Sequence, residues 1–200
     1  MIQNIYFTLL SVFVFAIPLI YHSYKFQGVE NTIILLLNIM GIAIVVELIG
    51  VTSGAYIYTG QTLILVTIFV GIGWILNTYP SMHIALYLLG LYHKENLKTK
   101  EILIASILSA SFGVIYDLFI DPVAVALEIW VWSREGPWYG VPIFNFIGWF
   151  FIIFSMVFGY LFTRTRGEFL KDKLLMSLVS VILGSLFVYS VMMLCVHLGI

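Results

Sequence analysis

Charged residues and cysteine are scarce in this sequence. Only 10% of its 200 residues are charged, and nine Lys or Arg face ten Asp or Glu, which gives a formal net charge of −1. This balance provides no basic surface for nucleic acid, so nucleic acid is not an expected partner. The single cysteine, Cys195, has no second cysteine with which to form an intrachain disulfide.

Common catalytic motifs are missing as well. The sequence contains no glycine-rich phosphate loop, no GxSxG elbow and no HExxH motif. His83 has no second His or Cys at the spacing of metal ligands, and His93 lies in a basic loop, so we expect no metal site. The remaining candidates for chemistry are single polar side chains in an apolar chain.

Apolar residues are abundant. Hydrophobic residues make up 62% of the chain and the mean hydropathy is +1.10, which is more apolar surface than a soluble protein of this size can bury. We predict an all-α, polytopic membrane helix bundle that forms a single domain over residues 1–200 and contacts membrane lipids. The N-terminal run lacks a charged n-region and is long for a signal peptide, so we expect it to be a retained first span.

Six apolar runs are each long enough, at about 20 residues, to cross a bilayer. They cover residues 2–21, 32–51, 62–92, 102–120, 141–163 and 174–199. The loops after spans one, three and five carry eight Lys or Arg, whereas those after spans two and four carry only Arg134. The positive-inside rule then places both termini of this multi-pass cell-membrane protein outside the cytoplasm. Asp121 followed by Pro122 is typical of a helix start, so we also predict a short helix over 122–132 at the outer face.

Two acids stand out in the stretch 111–150, because a carboxylate at the centre of a membrane helix costs about 3 kcal/mol. Asp117 and Asp121 are four residues apart, which places both carboxyls on one helix face. In a low dielectric they do not both ionise easily, so we expect one to keep its proton and to act as a general acid. The alternative is that they cap the short outer helix, above all Asp121.

Other polar residues are predicted at the same depth. Glu47 lies near the outer end of span two, Asn77 beside the Pro80 kink of span three, and Asn145 near the outer end of span five. Glu47 also suits an interfacial position that reaches water. Either asparagine is equally typical of a hydrogen bond between helices. Glu128 is more simply explained by the wet face of the outer helix.

Aromatic residues surround these polar groups. The set is typical of the belt that Trp and Tyr form at a membrane interface. Folded over a cluster of acids, the same rings form a cavity roof whose π faces stabilise a cation. The residues concerned are Trp130, Trp132, Trp138, Tyr139 and Trp149.

Four segments resemble the CruF-type carotenoid hydratases, which include archaeal bisanhydrobacterioruberin hydratases and bacterial carotenoid 1,2-hydratases. They are ELIGVTSGAYIYT (47–59), GIGWILNTYPSMHIA (71–85), YDLFIDPVAVALEIWVW (116–132) and GPWYGVPIFNFIGWF (136–150). The resemblance implies a hydro-lyase that adds water to the terminal C=C of a lipid-soluble linear carotenoid. It also implies that the reaction needs no cofactor and no metal.

Under this resemblance the polar and aromatic residues take candidate roles. Asp117 or Asp121 is the expected proton donor, with the other as its partner. Glu47 or Asn145 is expected to hold the water. The expected substrate-binding side chains are Tyr116, Trp132, Tyr139, Asn145, Asn77 and Trp74.

Two other classes of function use the same acids. A membrane prenyltransferase would bind magnesium diphosphate through Asp117 and Asp121, although no predicted span supplies a Lys or Arg for the phosphates. A proton-coupled transporter or lipid-binding protein would use the acids as a relay, although no second broken span matches the third.

Overall fold

The structure is a computed structural model that describes residues 2–59 and 63–198. These residues form five helices and two short strands. In chain order they are α1 (Ile2–Thr52), β1 (Tyr56–Tyr58), α2 (Leu63–Leu88), α3 (Thr99–Ala126), β2 (Trp130–Trp132), α4 (Ile143–Arg166) and α5 (Leu170–Leu198). The predicted helical membrane bundle is therefore confirmed as a fold class.

The number of spans differs from the prediction. Within the described residues, four helical segments are long and apolar enough to cross a membrane, namely Val14–Thr52, Thr99–Ala126, Ile143–Arg166 and Leu170–Cys195. The prediction of six spans is therefore not supported, although Val14–Thr52 includes the change of direction at Gly28 that lies between the predicted runs 2–21 and 32–51. Helix α2 is not among the four segments.

Helix α1 changes direction at Gly28, whose φ of 83° and ψ of 168° lie outside the helical region. The hydroxyls of Ser23 and Thr32 lie 2.9 Å apart. Nine residues of continuous helix would separate them by roughly 13 Å along the axis, so the chain folds back at this glycine. Glycine suits the position because a side chain disfavours a positive φ.

The helices follow one another around the bundle. Helix α2 contacts α1 and α3, α4 contacts α3 and α5, and α5 returns to α1, which also contacts α4. Fully buried side chains at these contacts include Ile39, Ile75, Met82, Ile153, Met156 and Tyr160. Buried apolar side chains from all five helices thus fill the interior.

A two-stranded antiparallel sheet covers one end of the bundle. β1 pairs with β2 so that Tyr56 faces Trp132 and Tyr58 faces Trp130. At the opposite end, the Lys94 ammonium lies 2.7 Å from Glu101, and Arg164 donates to the carbonyl of Lys94 at 3.0 Å. The bundle therefore has an aromatic end and a basic end.

The predicted short helix over 122–132 does not form. Pro122 lies inside α3, which continues to Ala126, and the last three residues of the stretch form β2. Proline lacks the N–H that would bond to the carbonyl of Leu118, but the indole nitrogen of Trp138 donates to that oxygen at 3.0 Å. This replacement lets the helix run through the proline, so Asp121 is not a helix cap.

Candidate active site

The two strands form the roof of the site, and their side chains alternate between its two faces. Ile57 and Val131 face outward and are 60% and 43% exposed. The four aromatic residues on either side of them are half-buried and face the bundle. Their rings meet edge to face, with centroids 5.0 Å apart for Tyr56 and Trp132 and 5.9 Å apart for Tyr58 and Trp130. We call these two strands the aromatic roof.

A cavity of about 690 Å³ lies beneath the aromatic roof and is lined by residues from all five helices. Most of its lining is apolar. Trp74 of α2 and Trp149 of α4 lie against each other, with ring centroids 4.2 Å apart. On α5, the lining residues Tyr189 and Met193 are 44% and 50% exposed. The cavity is therefore a mainly apolar chamber.

Three polar residues meet at one edge of this cavity. Asp117 and Asp121 are separated by one turn of α3, and Asn145 lies in the first turn of α4. The side-chain nitrogen of Asn145 donates to Oδ2 of Asp117 at 2.9 Å and to Oδ2 of Asp121 at 2.6 Å. All three side chains are buried. One amide thus brings two carboxyls together, as the spacing of four residues predicts.

The two aspartates differ in their access to the cavity. Asp121 lines it, whereas Asp117 is 0% exposed and is not a lining residue. Oδ1 of Asp117 has no hydrogen-bond partner among the described residues. Ionising a carboxyl in this position would leave a buried charge with little compensation. The arrangement therefore favours one proton shared by the pair, of which only Asp121 lines the cavity.

A second acid lies under the aromatic roof. Glu47, near the end of α1, is 6% exposed and lines the same cavity. The hydroxyl of Tyr56 donates to its Oε1 at 2.8 Å, and the hydroxyl of Tyr58 donates to the same oxygen. Burial first, and then the charge of Glu47, raise the pKa of both tyrosine hydroxyls far above the usual value. Both tyrosines therefore remain neutral donors that orient Glu47.

The predicted site residues are only partly brought together. Asp117 does not line the cavity, although it accepts a hydrogen bond from the lining residue Asn145. Asn77 is buried elsewhere, where it donates to the carbonyl of Gly113 at 3.2 Å and accepts from Ser81 at 3.1 Å. Tyr139 is 75% exposed and is not a lining residue, so its role stays a prediction. The predicted residues that line the cavity are Glu47, Trp74, Tyr116, Asp121, Trp132 and Asn145.

Sequence reasoning assigned no role to Tyr56 and Tyr58. A signal for them was present, because YIY and WVW are both aromatic at the first and third positions, which is the period of a strand.

The arrangement of possible metal ligands was predicted to provide no metal site. Within residues 2–59 and 63–198, no three His, Cys, Asp or Glu side chains converge as a metal site would require.

Comparison with known families gives one match. The family model described as carotenoid biosynthesis protein matches residues 3–200. The chain belongs to this family. No curated protein and no solved structure matches it. This carotenoid biosynthesis protein is therefore a membrane protein with a role in making carotenoids, and its apolar cavity suits a lipid-soluble substrate.

Proposed function

We propose that this protein hydrates the terminal C=C of a linear carotenoid to a tertiary alcohol, as a cofactor-independent hydro-lyase. The observation that carries the proposal is the pair of buried carboxyls on the amide of Asn145, at the edge of an apolar cavity. A hydrocarbon substrate offers no polar group to bind, so its recognition depends on the apolar lining. Its activation depends on a strong acid that is shielded from water.

The first step is the transfer of a proton from the aspartate pair to the less substituted alkene carbon. The π electrons form the new C–H bond and leave a tertiary carbocation at the neighbouring carbon. Asp121 lines the cavity and delivers the proton, and Asp117, which the same Asn145 amide holds beside it, shares that proton directly beforehand. The negative charge left on the pair lies close to the cation and stabilises it.

The second step is the capture of that cation by water. The faces of Trp132 and Tyr116, which line the cavity, stabilise the cation before capture. Asn145 already donates from its nitrogen to both aspartates. Glu47 is therefore the better residue to hold the water and to accept the proton that the water loses on attack. The atoms balance, since one proton enters the alkene and one leaves the water.

The concentration of basic residues at one end of the bundle supports one orientation of the protein in the membrane. The basic end gathers the loops that carry Lys94, Lys98, Arg164 and Arg166. Lys and Arg collect on the cytoplasmic side of membrane proteins, so we place the aromatic roof and the acids on the extracytoplasmic side. To test this, one cysteine is introduced either at Ile57 or at Lys98, in a variant that lacks Cys195. Intact cells are then treated with a membrane-impermeant thiol reagent, which is expected to label the cysteine at position 57 and not the one at position 98.

The test of the reaction is expression in a bacterial host that makes lycopene or bisanhydrobacterioruberin. Mass spectrometry of the extracted pigments is expected to find products heavier by one or two waters. Asp117→Asn is expected to abolish them, whereas Asp172→Asn, the same change in the first turn of α5, is expected to leave them unchanged. Unaltered carotenoids in cells that contain folded protein would refute the proposal. Full hydration by Asp117→Asn would refute the assignment of the acid.

A further inference from the structure

Two buried hydrogen-bond donors of the aromatic roof are not used by the fold. Nε1 of Trp130 and Nε1 of Trp132 are buried, and neither has a hydrogen-bond partner among the described residues. Buried N–H groups are almost always paired, with protein or with ordered water. Both tryptophans line the cavity. Two unused donors at the same end of one cavity indicate a site for an atom that accepts hydrogen bonds.

An unused acceptor lies beside these donors. The rings of Trp132 and Trp130 contact those of Tyr56 and Tyr58, and both tyrosine hydroxyls donate to Glu47. Both bonds converge on Oε1. Oε2 of Glu47 receives no hydrogen bond from the described side chains, although the carboxyl lines the cavity. The region therefore presents two donors and one acceptor within a mainly apolar lining.

We infer that an indole N–H group of Trp130 or Trp132, together with Glu47, forms a binding site for one oxygen atom, either of water or of an alcohol. A molecule that fits must both accept from an indole and donate to Glu47, which water and alcohols do and which ethers and ketones do not. This inference rests on the proposed function, because it assigns the position of the water that captures the cation.

The chemistry of capture needs this division of hydrogen bonds. The water accepts an indole N–H with one lone pair, donates one hydrogen to Glu47, and keeps its second lone pair for the cation. When the C–O bond forms, the water loses that hydrogen to the Glu47 carboxylate. The proton gained by Glu47 equals the proton lost by the aspartate pair, so the charge of the cavity does not change. The new alcohol oxygen lies where the water oxygen was.

Removing the oxygen site affects only the second step. A cation that water does not capture returns a proton to the aspartate pair and regenerates an alkene. In heavy water, each such cycle exchanges hydrogen for deuterium in the carotenoid that is not hydrated. The double variant Trp130→Phe/Trp132→Phe keeps aromatic rings in the roof but removes both N–H donors. It is expected to lose hydration by roughly tenfold or more, while deuterium still enters the recovered carotenoid.

The experiment uses membranes that contain the full chain, a linear carotenoid and buffer in heavy water, with mass spectrometry of both alkene and alcohol. Tyr87→Phe is the control, because it also removes a hydrogen-bond donor from an aromatic ring, but Tyr87 is 73% exposed and does not line the cavity. That control is expected to hydrate at the rate of the unaltered protein. Glu47→Gln is a second variant for the case that the double variant does not fold. Its amide still accepts from the tyrosines but takes no proton, so exchange without hydration is expected again.

The possible results distinguish failure of the oxygen site from failure of the proposed function. Exchange without hydration in both variants supports the oxygen site. Normal hydration in the folded double variant overturns it, and so does the joint loss of exchange and hydration, since the rings would then act on the cation. If the unaltered protein neither hydrates nor exchanges deuterium, the proposed function fails and the inference fails with it.

Discussion

The side-chain nitrogen of Asn145 lies 2.6 Å from Oδ2 of Asp121, a contact that joins the start of α4 to the last turns of α3. The same nitrogen reaches Asp117 at 2.9 Å. A neutral amide thus uses both of its hydrogens on two acids, and no basic residue shares in the contact. Asn145 is consequently both a structural link between two helices and the group that sets the distance between the carboxyls.

Replacing Asn145 with Ala removes both hydrogen bonds and leaves two buried acids without a donor. We expect the free energy of unfolding in detergent to fall by about 1–3 kcal/mol and hydration per folded molecule to be lost. Asn38→Ala is the control, because Asn38 is also buried and donates to Ser177 at 2.7 Å, away from the cavity. It is expected to lose similar stability and no hydration. Equal hydration by both variants would contradict this role of Asn145.

Gly50 is the position where a methyl group would disturb the second acid. A Cβ atom there would lie 2.6 Å from the hydroxyl oxygen of Tyr56 and 2.7 Å from its ring. Gly50→Ala is therefore expected to push Tyr56 away from Glu47 and to destabilise the protein by about 1–3 kcal/mol. In a Tyr56→Ala background the same change meets no ring, so its cost is expected to disappear. A double-mutant cycle from urea unfolding measures this coupling, and additive effects would show that the contact does not matter.

The two roof tyrosines are expected not to titrate in the range of ordinary tyrosines, about pH 10, because burial and Glu47 raise their pKa. In the unfolded chain these hydroxyls ionise near pH 10, whereas in the folded protein they stay neutral to a higher pH. Their contribution to the free energy of unfolding is therefore present below about pH 10 and decreases as the pH rises further. Tyrosinate absorbance near pH 10 should be the same for the folded protein and for folded Tyr56→Phe/Tyr58→Phe. In denaturant the double variant should lack the signal of two of the twelve tyrosines. A smaller signal in the folded variant would mean that these hydroxyls ionise normally.

Gly28 and Gly73 provide a matched pair for the turn in α1. An added Cβ would meet no described atom within 4 Å at either position, but only Gly28 has a positive φ, of 83°. Gly28→Ala is therefore expected to cost about 1–3 kcal/mol from backbone strain alone. Gly73→Ala, inside α2, is expected to be neutral or stabilising by up to about 1 kcal/mol. Unfolding in detergent measures both, and equal effects would mean that the turn does not need glycine.

The sequence predicts the parts of this protein that depend on composition and local spacing. Hydropathy alone indicates a membrane bundle, and four-residue spacing brings Asp117 and Asp121 to one face of α3. Their approach to Asn145 follows from polar groups that avoid lipid by meeting one another. The functional roles of these residues stay predictions.

The features that sequence reasoning missed depend on contacts between distant segments. Asp121 followed by Pro122 is typical of a helix start, yet Trp138, twenty residues after Leu118, supplies the hydrogen bond that the proline cannot. The pairing of YIY with WVW joins segments 74 residues apart. Runs of three residues are too short to identify a strand by periodicity, so the aromatic roof becomes evident only in three dimensions.

The aromatic roof also indicates how deep the candidate site lies in the membrane. A two-stranded sheet leaves unpaired backbone groups along its outer edges, and such edges are not found against lipid acyl chains. We therefore expect the strands at the level of the lipid headgroups. Asp121 precedes the end of α3 by five residues, which places it roughly 8 Å lower along the helix. Under the proposed function the hydroxyl forms close to the headgroup boundary, so the product becomes amphiphilic there.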